Sequence, residues 1–448
     1  MNFAPISSLR NHAAALALVC FGLVGCVTAQ QPNQPPAGFK ALFNGKDLNG
    51  WRGGDTFDHR KYLAMDPDKR AKQDAEWTAD MRKHWSVENG DLVNDGHGKY
   101  ATTVEEYGDF ELLVDYRTVP KADSGIYLRG VPQVQIWDFT ETEKFKIGAD
   151  KGSGGLWNNS PGAPGKDPAV LADKPFGQWN SFRIVMVGAR VSVWLNGKHV
   201  VDHAILENYY DRKTSIPARG PILLQTHGNE IRWKNVFVRE IGTAEANKIL
   251  AEKSTAGFKS VFNGKDFTGW DGPVDNYEVV DGAVVCKPKK GGTIFTKDQY
   301  GDFVARVEFK LPPGGNNGLA IRYPGTGDTA YQGMCELQVL DENYEQATKS
   351  KIDPRQAHGS AYGMAAAQRG YQHPIGEWNF EEVTVKGSTI KVELNGFVIL
   401  DTDLSKIDPA TFMAKSPHPG RDRKSGHFGF AGHNDPVAFR NIQIKKLD

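Results

Sequence analysis

Gly38-Phe39-Lys40-Ala41-Leu42-Phe43-Asn44-Gly45-Lys46-Asp47 returns in the second half of the chain as Gly257-Phe258-Lys259-Ser260-Val261-Phe262-Asn263-Gly264-Lys265-Asp266. Both stretches lead to Gly-Trp, at Gly50-Trp51 and Gly269-Trp270. Further on, Tyr107-Gly108-Asp109-Phe110 is answered by Tyr300-Gly301-Asp302-Phe303, and Gly177-Gln178-Trp179-Asn180 by Gly376-Glu377-Trp378-Asn379. Leu195-Asn196-Gly197 matches Leu394-Asn395-Gly396, and Lys234-Asn235-Val236 matches Arg440-Asn441-Ile442. Landmarks repeated in one order mean two homologous domains. These span 38–241 and 257–448, with a linker at 242–256 whose charged stretch 244–253 reads as helical.

Within each copy the apolar residues alternate. Phe110-Glu111-Leu112-Leu113-Val114-Asp115-Tyr116 and Phe303-Val304-Ala305-Arg306-Val307-Glu308-Phe309 have the period of half-buried strands. Residues 181–187 and 191–195 read as paired strands, and Asn196-Gly197 supplies a type I′ turn into 198–201. Short strands recurring between turn signals predict an all-β chain of two jelly-roll β-sandwiches. The copies differ by an insertion at 53–84, where Asp66-Pro67 opens a helix expected to run through Trp77. It reads either as a lid or as a packing appendage.

Lys+Arg and Asp+Glu are equal at 54 each across 448 residues, so no basic surface points to a nucleic-acid partner. Near the N-terminus an apolar run at 13–24 ends in Leu23-Val24-Gly25-Cys26. It is too short to span a bilayer and has the length of a signal-peptide core, giving a signal peptide at 1–25. Gly25 before Cys26 resembles the lipobox of bacterial lipoproteins, which implies acylation of Cys26 and a membrane partner through that anchor. Ordinary secretory cleavage near Ala29 is the alternative. Residues 26–37 form a Pro/Gln-rich tether. The expected location is outside the cytoplasm, as an outer-membrane lipoprotein or in the periplasm. Cys286 and Cys335 lie on separate predicted strands and read as buried thiols, and no Cys/His spacing reads as zinc.

Polar side chains recur at matched places. Arg129 ends the strand containing Tyr127, and Arg322 ends its counterpart. The next strand carries Gln133, Gln135 and Trp137 on one face, followed by Asp138; in domain 2 it carries Glu336 and Gln338 on one face, followed by Asp341. An inward row of polar side chains from adjacent strands is costly in a core but would line a sugar groove on the concave face of a sandwich; the alternative is solvated outward positions. His227 and His433 each stand eight residues before a matched Asn, and either is a candidate general base. Trp157 and Tyr362 occupy corresponding positions where an aromatic face could stack on a pyranose ring or pack in the core.

Asn-Gly-Lys-Asp…Gly-Trp, Gly-Ile-Tyr-Leu-Arg-Gly, Glu-x-Gln-x-x-Asp, Gly-x-Trp-Asn, Leu-Asn-Gly and His-Gly…Asn together resemble the 3-keto-disaccharide hydrolase domain family, across nearly the whole chain after the tether, twice. The resemblance implies a concanavalin A-like jelly roll that cleaves glycosides already oxidised at C3, by hydrolysis or by β-elimination. Two departures stand out: Gln133 where the pattern has Glu, and Gly432-His433-Asn434 in place of Gln-x-His-Gly. A C3 ketone acidifies the C2 proton and makes the C1 oxygen a β leaving group. The expected roles are His433 or Glu336 as base, Arg322 as enolate partner and Asp341 as acid or orienter, with Gln338 and Tyr362 on the sugar. In domain 1 His227, Arg129 and Asp138 take the catalytic places, and Gln133, Gln135, Tyr127 and Trp157 the binding ones. No cofactor is predicted, and a divalent metal could replace the Arg as electrophile. Two other classes remain open: a non-catalytic tandem carbohydrate-binding protein, and a glycosidase of the laminarinase type. The latter fits Glu336-x-Gln338-x-x-Asp341 poorly, because retaining chemistry needs two carboxyls roughly 5 Å apart.

Overall fold

The structure, a computed structural model, describes Met1 and residues 33–447; the signal segment and Cys26 lie outside the described residues. Each repeat is a sandwich of two antiparallel sheets. In domain 1 the larger sheet runs Lys198–Ile205, Arg190–Leu195, Asn180–Val187, Phe110–Thr118, Ile231–Glu240, Asp91–Asn94 and Trp85–Glu88, with Lys40–Ala41 beside Ile231–Glu240. The five-stranded sheet runs Trp51–Gly54, Tyr100–Thr103, Leu223–Leu224, Ser124–Leu128 and Val131–Ile136.

Domain 2 repeats both orders strand for strand. Its larger sheet goes from Phe397–Asp403 through Thr389–Leu394, Asn379–Lys386, Phe303–Lys310, Ala438–Lys446 and Ala283–Cys286 to Tyr277–Val280. Its five-stranded sheet is Trp270–Asp271, Gly291–Tyr300, Gly426–His433, Asn316–Tyr323 and Cys335–Leu340. The sequence repeat is therefore a repeat of topology, and the chain is all-β in tandem jelly-roll sandwiches.

Alternation decides what each face carries. Leu319, Ile321, Leu337 and Val339 turn into the core with Val307, Val383 and Val392, which leaves the intervening residues of the five-stranded sheet facing outward. The hairpins close as the Asn-Gly pairs require: Asn196 and Gly197 have φ of 51° and 77°, and Asn395 and Gly396 have 49° and 84°.

Several shared landmarks prove to be structural. Trp51 and Trp270 donate their indole N–H to the Leu42 and Val261 carbonyls at 2.8 and 2.9 Å. Asn196 and Asn395 donate side-chain N–H groups to Asn180 and Asn379 at 2.7 and 2.8 Å, which ties Leu-Asn-Gly to Gly-x-Trp-Asn.

The insertion helix covers Pro67–His84, longer than the sequence signals, and ends with Met81 buried. It is fastened to the edge strand Trp51–Gly54: the Gly53 N–H donates to Thr78 Oγ1 at 3.0 Å. A Cβ on Gly53 would stand 2.1 Å from the Trp77 backbone, so only glycine permits that approach. The helix thus packs on the sheet edge, while Thr56 at the start of the insertion meets the Tyr127 hydroxyl at 2.7 Å.

The linker helix Thr243–Glu252 buries Ala246 and Leu250 among Val185, Val187 and Phe380, from both domains. Beside it Glu393 pairs with Arg190 and, at 3.0 Å, with Lys253, which also reaches Glu382 at 3.1 Å. Against the upward push of burial, Lys253 and Arg190 hold the Glu393 pKa down at about 2. Cys286 and Cys335 are buried and unbridged. No described helix is long and apolar enough to cross a membrane.

Candidate active site

The outward face of the five-stranded sheet in domain 2 is the floor of an open cleft of about 660 Å³. Asn316, Glu336, Gln338 and Leu340 come from its last two strands, and His433 from the end of Gly426–His433. One wall holds Asp328, Ala330 and Tyr331, whose short helix Thr329–Gln332 is capped by the Asp328 carboxylate accepting from the Ala330 N–H at 2.9 Å. Opposite stand Tyr344, Ile352, Gln356 and Tyr362. Tyr362 is placed by the pairing of Ala361 with Leu337, and its hydroxyl accepts from the Gln356 amide at 3.1 Å. Among the described residues no acceptor takes the Tyr362 O–H, and Tyr362 lines the cleft.

Glu336 and His433 face one another, with carboxylate oxygen and Nε2 3.7 Å apart. The side chain of Glu336 is 6% exposed and that of His433 is 49% exposed, so the carboxylate sits in the floor and the imidazole meets solvent. The pull of Glu336 on the ring N–H, joined by its charge and those of Asp328 and Asp435, raises the His433 pKa above its ordinary value despite burial. Space for the carboxylate is made by Gly318: a Cβ there would lie 2.3 Å from Glu336 Oε1. Gln338 donates its amide N–H to Asn316 Oδ1 at 2.6 Å, and its own amide oxygen, buried, has no donor among the described residues.

Arg322 is not in the cleft, contrary to the sequence expectation. It is buried at the sheet's end, where Nη2 meets Asp302 at 2.7 Å, Nε donates to the Gly301 carbonyl at 2.8 Å, and Nη1 donates to the Gly387 and Arg423 carbonyls at 2.7 and 2.8 Å. Arg129 repeats this with Asp109 and the Gly108 carbonyl, both at 2.7 Å. These pairs explain why Tyr-Gly-Asp-Phe recurs. Both arginines have a left-handed backbone, φ 54° at Arg129 and 49° at Arg322, so the strand's alternation no longer dictates where the side chain goes.

Asp341 and Asp138 are also structural in position. Asp341 accepts the backbone N–H groups of Gly314 and Asn343, each at 2.8 Å, and Asp138 those of Lys121 and Thr140 at 2.7 and 2.8 Å. Neither lines the cleft. Sequence reasoning missed Asn316, Asp328, Tyr331, Tyr344 and Gln356; only the capping pattern of Asp328 before Thr329 carried a readable signal.

In domain 1 the same floor carries Gln133, Gln135 and Tyr127, all buried. Trp157 holds the place of Tyr362, since Leu156 bridges to Val134 as Ala361 does to Leu337. His227 faces Asp123 at 3.4 Å. Among the described residues no group of three or more His, Cys, Asp or Glu side chains is arranged to hold a metal ion.

Comparison with known proteins agrees with this duplication. The family model of the 3-keto-alpha-glucoside-1,2-lyase-like domain matches residues 38–239 and again 257–445. A 3-keto-disaccharide hydrolase of Bacteroides thetaiotaomicron is 25% identical over 250 residues, which cover 47% of this chain and 86% of that protein. A crystal structure from Parabacteroides distasonis, described as a candidate glycosyl hydrolase, is 28% identical, with a TM-score of 0.37 over 43% of this chain and 95% of that one. A carbohydrate-binding module from Bacillus subtilis is 12% identical at a TM-score of 0.26, over 41% and 98%. Matched through both of its halves, the chain belongs to the 3-keto-alpha-glucoside-1,2-lyase-like domain family.

Proposed function

We propose that the protein cleaves 3-keto glycosides in the domain 2 cleft, with His433 as the base and Glu336 behind it. The observation that carries this reading is the Glu336–His433 pair on the floor of an open, tyrosine-walled cleft, in a chain of this family. His433 is the accessible partner, and Glu336 orients the ring and stabilises the charge it acquires. Neutral His433 takes the proton from C2, and the C2–H electrons form an enolate with the C3 carbonyl. The Tyr362 O–H, held from behind by Gln356, donates to that oxygen. As the C3 carbonyl re-forms, a C1=C2 bond appears and the C1–O bond breaks. The proton on His433 then passes to the departing oxygen, releasing an alcohol and a 2-hydroxy-3-keto-glycal. Addition of water across C1=C2 of that product would make the net reaction hydrolysis.

The test is release of chromophore from a 3-keto-glucoside set against its unoxidised parent. Release from the keto compound alone is expected; equal release from both would overturn the reading in favour of an ordinary glycosidase. The pH profile gives a second check. A base must be unprotonated, and the His433 pKa is raised, so kcat/KM should rise with pH through a midpoint above 6.5. In Glu336→Gln that midpoint should fall, because the raising partner is gone and burial lowers an imidazole pKa. Gly318→Ala should cut kcat by about 10-fold or more while the fold persists, because a displaced reacting group commonly costs up to 10²-fold. Circular dichroism beside the assay separates that outcome from misfolding.

The anchor and location rest on the sequence alone. On that ground we propose a chain held at the cell envelope through acylated Cys26, which a shift to the aqueous phase in Cys26→Ala would support.

A further inference from the structure

Domain 1 keeps the floor of the cleft but replaces its chemistry. Gln133 stands where Glu336 does, over Gly125 as Glu336 lies over Gly318; a Cβ on Gly125 would come within 2.6 Å of the Gln133 amide. The amides are oriented as a chain. Asp123 accepts from the Gln135 N–H at 2.8 Å, and Gln135 in turn accepts from the Gln133 N–H. The carboxylate can only accept, so it fixes the direction of both amides, and the chain ends in the Gln133 oxygen. That oxygen is buried and no donor among the described residues reaches it. Gln225, beside this floor and donating to Tyr127 at 3.4 Å, likewise buries an amide oxygen without a donor.

Two buried acceptors on one face lack donors, which is costly unless something supplies them. Asp123, the carboxylate that ends this amide relay, is already engaged by Gln135, by Lys144 at 3.3 Å and by His227 at 3.4 Å. Lys144 is itself pinned, with Glu141 at 3.0 Å. At the edge the half-buried Trp157 ring is fixed by its N–H donating to the Ile147 carbonyl at 3.0 Å and stands edge-to-face with Trp137 at 5.7 Å.

We propose that domain 1 carries a non-catalytic sugar-binding site in which Gln133 and Gln225 accept hydroxyl donors of a hexopyranoside beside Trp157. The choice of a sugar rests on the reading of domain 2, whose floor this site repeats. Neutral amides accept hydroxyl hydrogen bonds without ionising, so the ligand is held and left intact, and the tandem pairs one binding face with one cleaving cleft.

The full chain carrying Glu336→Gln, titrated calorimetrically with methyl β-glucoside, tests this. Saturable binding is expected, weakened at least 10-fold by Trp157→Ala and by Gln133→Leu. Trp157 is at the edge, so that variant remains informative if Gln133→Leu fails to fold. Absence of saturable binding, or binding unchanged in Trp157→Ala, would overturn the proposal. So would loss of turnover in Trp157→Ala or His227→Ala, which would make domain 1 the cleaving copy. Failure of the enzyme reading is separable: the chromogenic assay would be silent while the calorimetric signal stayed.

Discussion

His433→Ala should lower kcat on a 3-keto glycoside by about 10²- to 10⁴-fold, the range over which a positioned general base acts. The imidazole is half exposed at the rim, and its removal opens the Glu336 carboxylate beneath it to water. Thermal stability should therefore hardly change, and the loss should fall on kcat rather than on KM. His227→Ala in domain 1 is the matched control, expected to turn over at the parent rate. Initial rates and melting curves for the two variants settle the point. A parent-like rate in His433→Ala would remove domain 2's pair from the reaction, and a loss in both would indicate two working copies.

Arg322→Met should act in the opposite way, on stability rather than on chemistry. The guanidinium is 1% exposed, ion-paired to Asp302 and bonded to three carbonyls, so a thioether removes the cation from Asp302, which keeps the Gly387 N–H at 2.9 Å, and leaves those carbonyls without their donor. Breaking one side of a buried ion pair costs about 3–5 kcal/mol. For a domain of this size that lowers the melting temperature by roughly 10 °C, at 2–4 °C per kcal/mol. At low temperature the folded fraction should retain the parent kcat. Urea melts beside single-temperature assays separate the two effects; a stable but inactive Arg322→Met would restore the arginine to the site.

The sandwich was legible in the sequence because its information is local. Period two, Asn-Gly turns and repeated tryptophans each act over a few residues, and duplication let one copy check the other. Glu336 and Gln338 were legible for the same reason: a regular strand assigns alternate side chains to one face. Arg322 was misread where that rule stops. Its φ is positive, and the pairing of Asn316–Tyr323 with Gly426–His433 slips between Ala320 and Tyr323. Asp341 was misread because an aspartate just past a strand serves loop N–H groups as readily as it serves a ligand. The cleft walls, with Tyr331, Tyr344 and Gln356, lie on loops and short helices between strands, which have no periodicity to read.

The junction around Glu393 also bears on how such a protein changes over generations. Its carboxylate in domain 2 is neutralised by Arg190 of domain 1 and by Lys253 of the linker, and Phe380 is covered by the linker helix. A deletion removing either repeat would strand a charge and bare an apolar face in the survivor. Each repeat is thus held in the protein by its contacts with the other, independently of what its sheet face does. A domain kept for its contacts tolerates exchange of a floor residue, such as Gln133 where the other copy has Glu336, without loss of the fold.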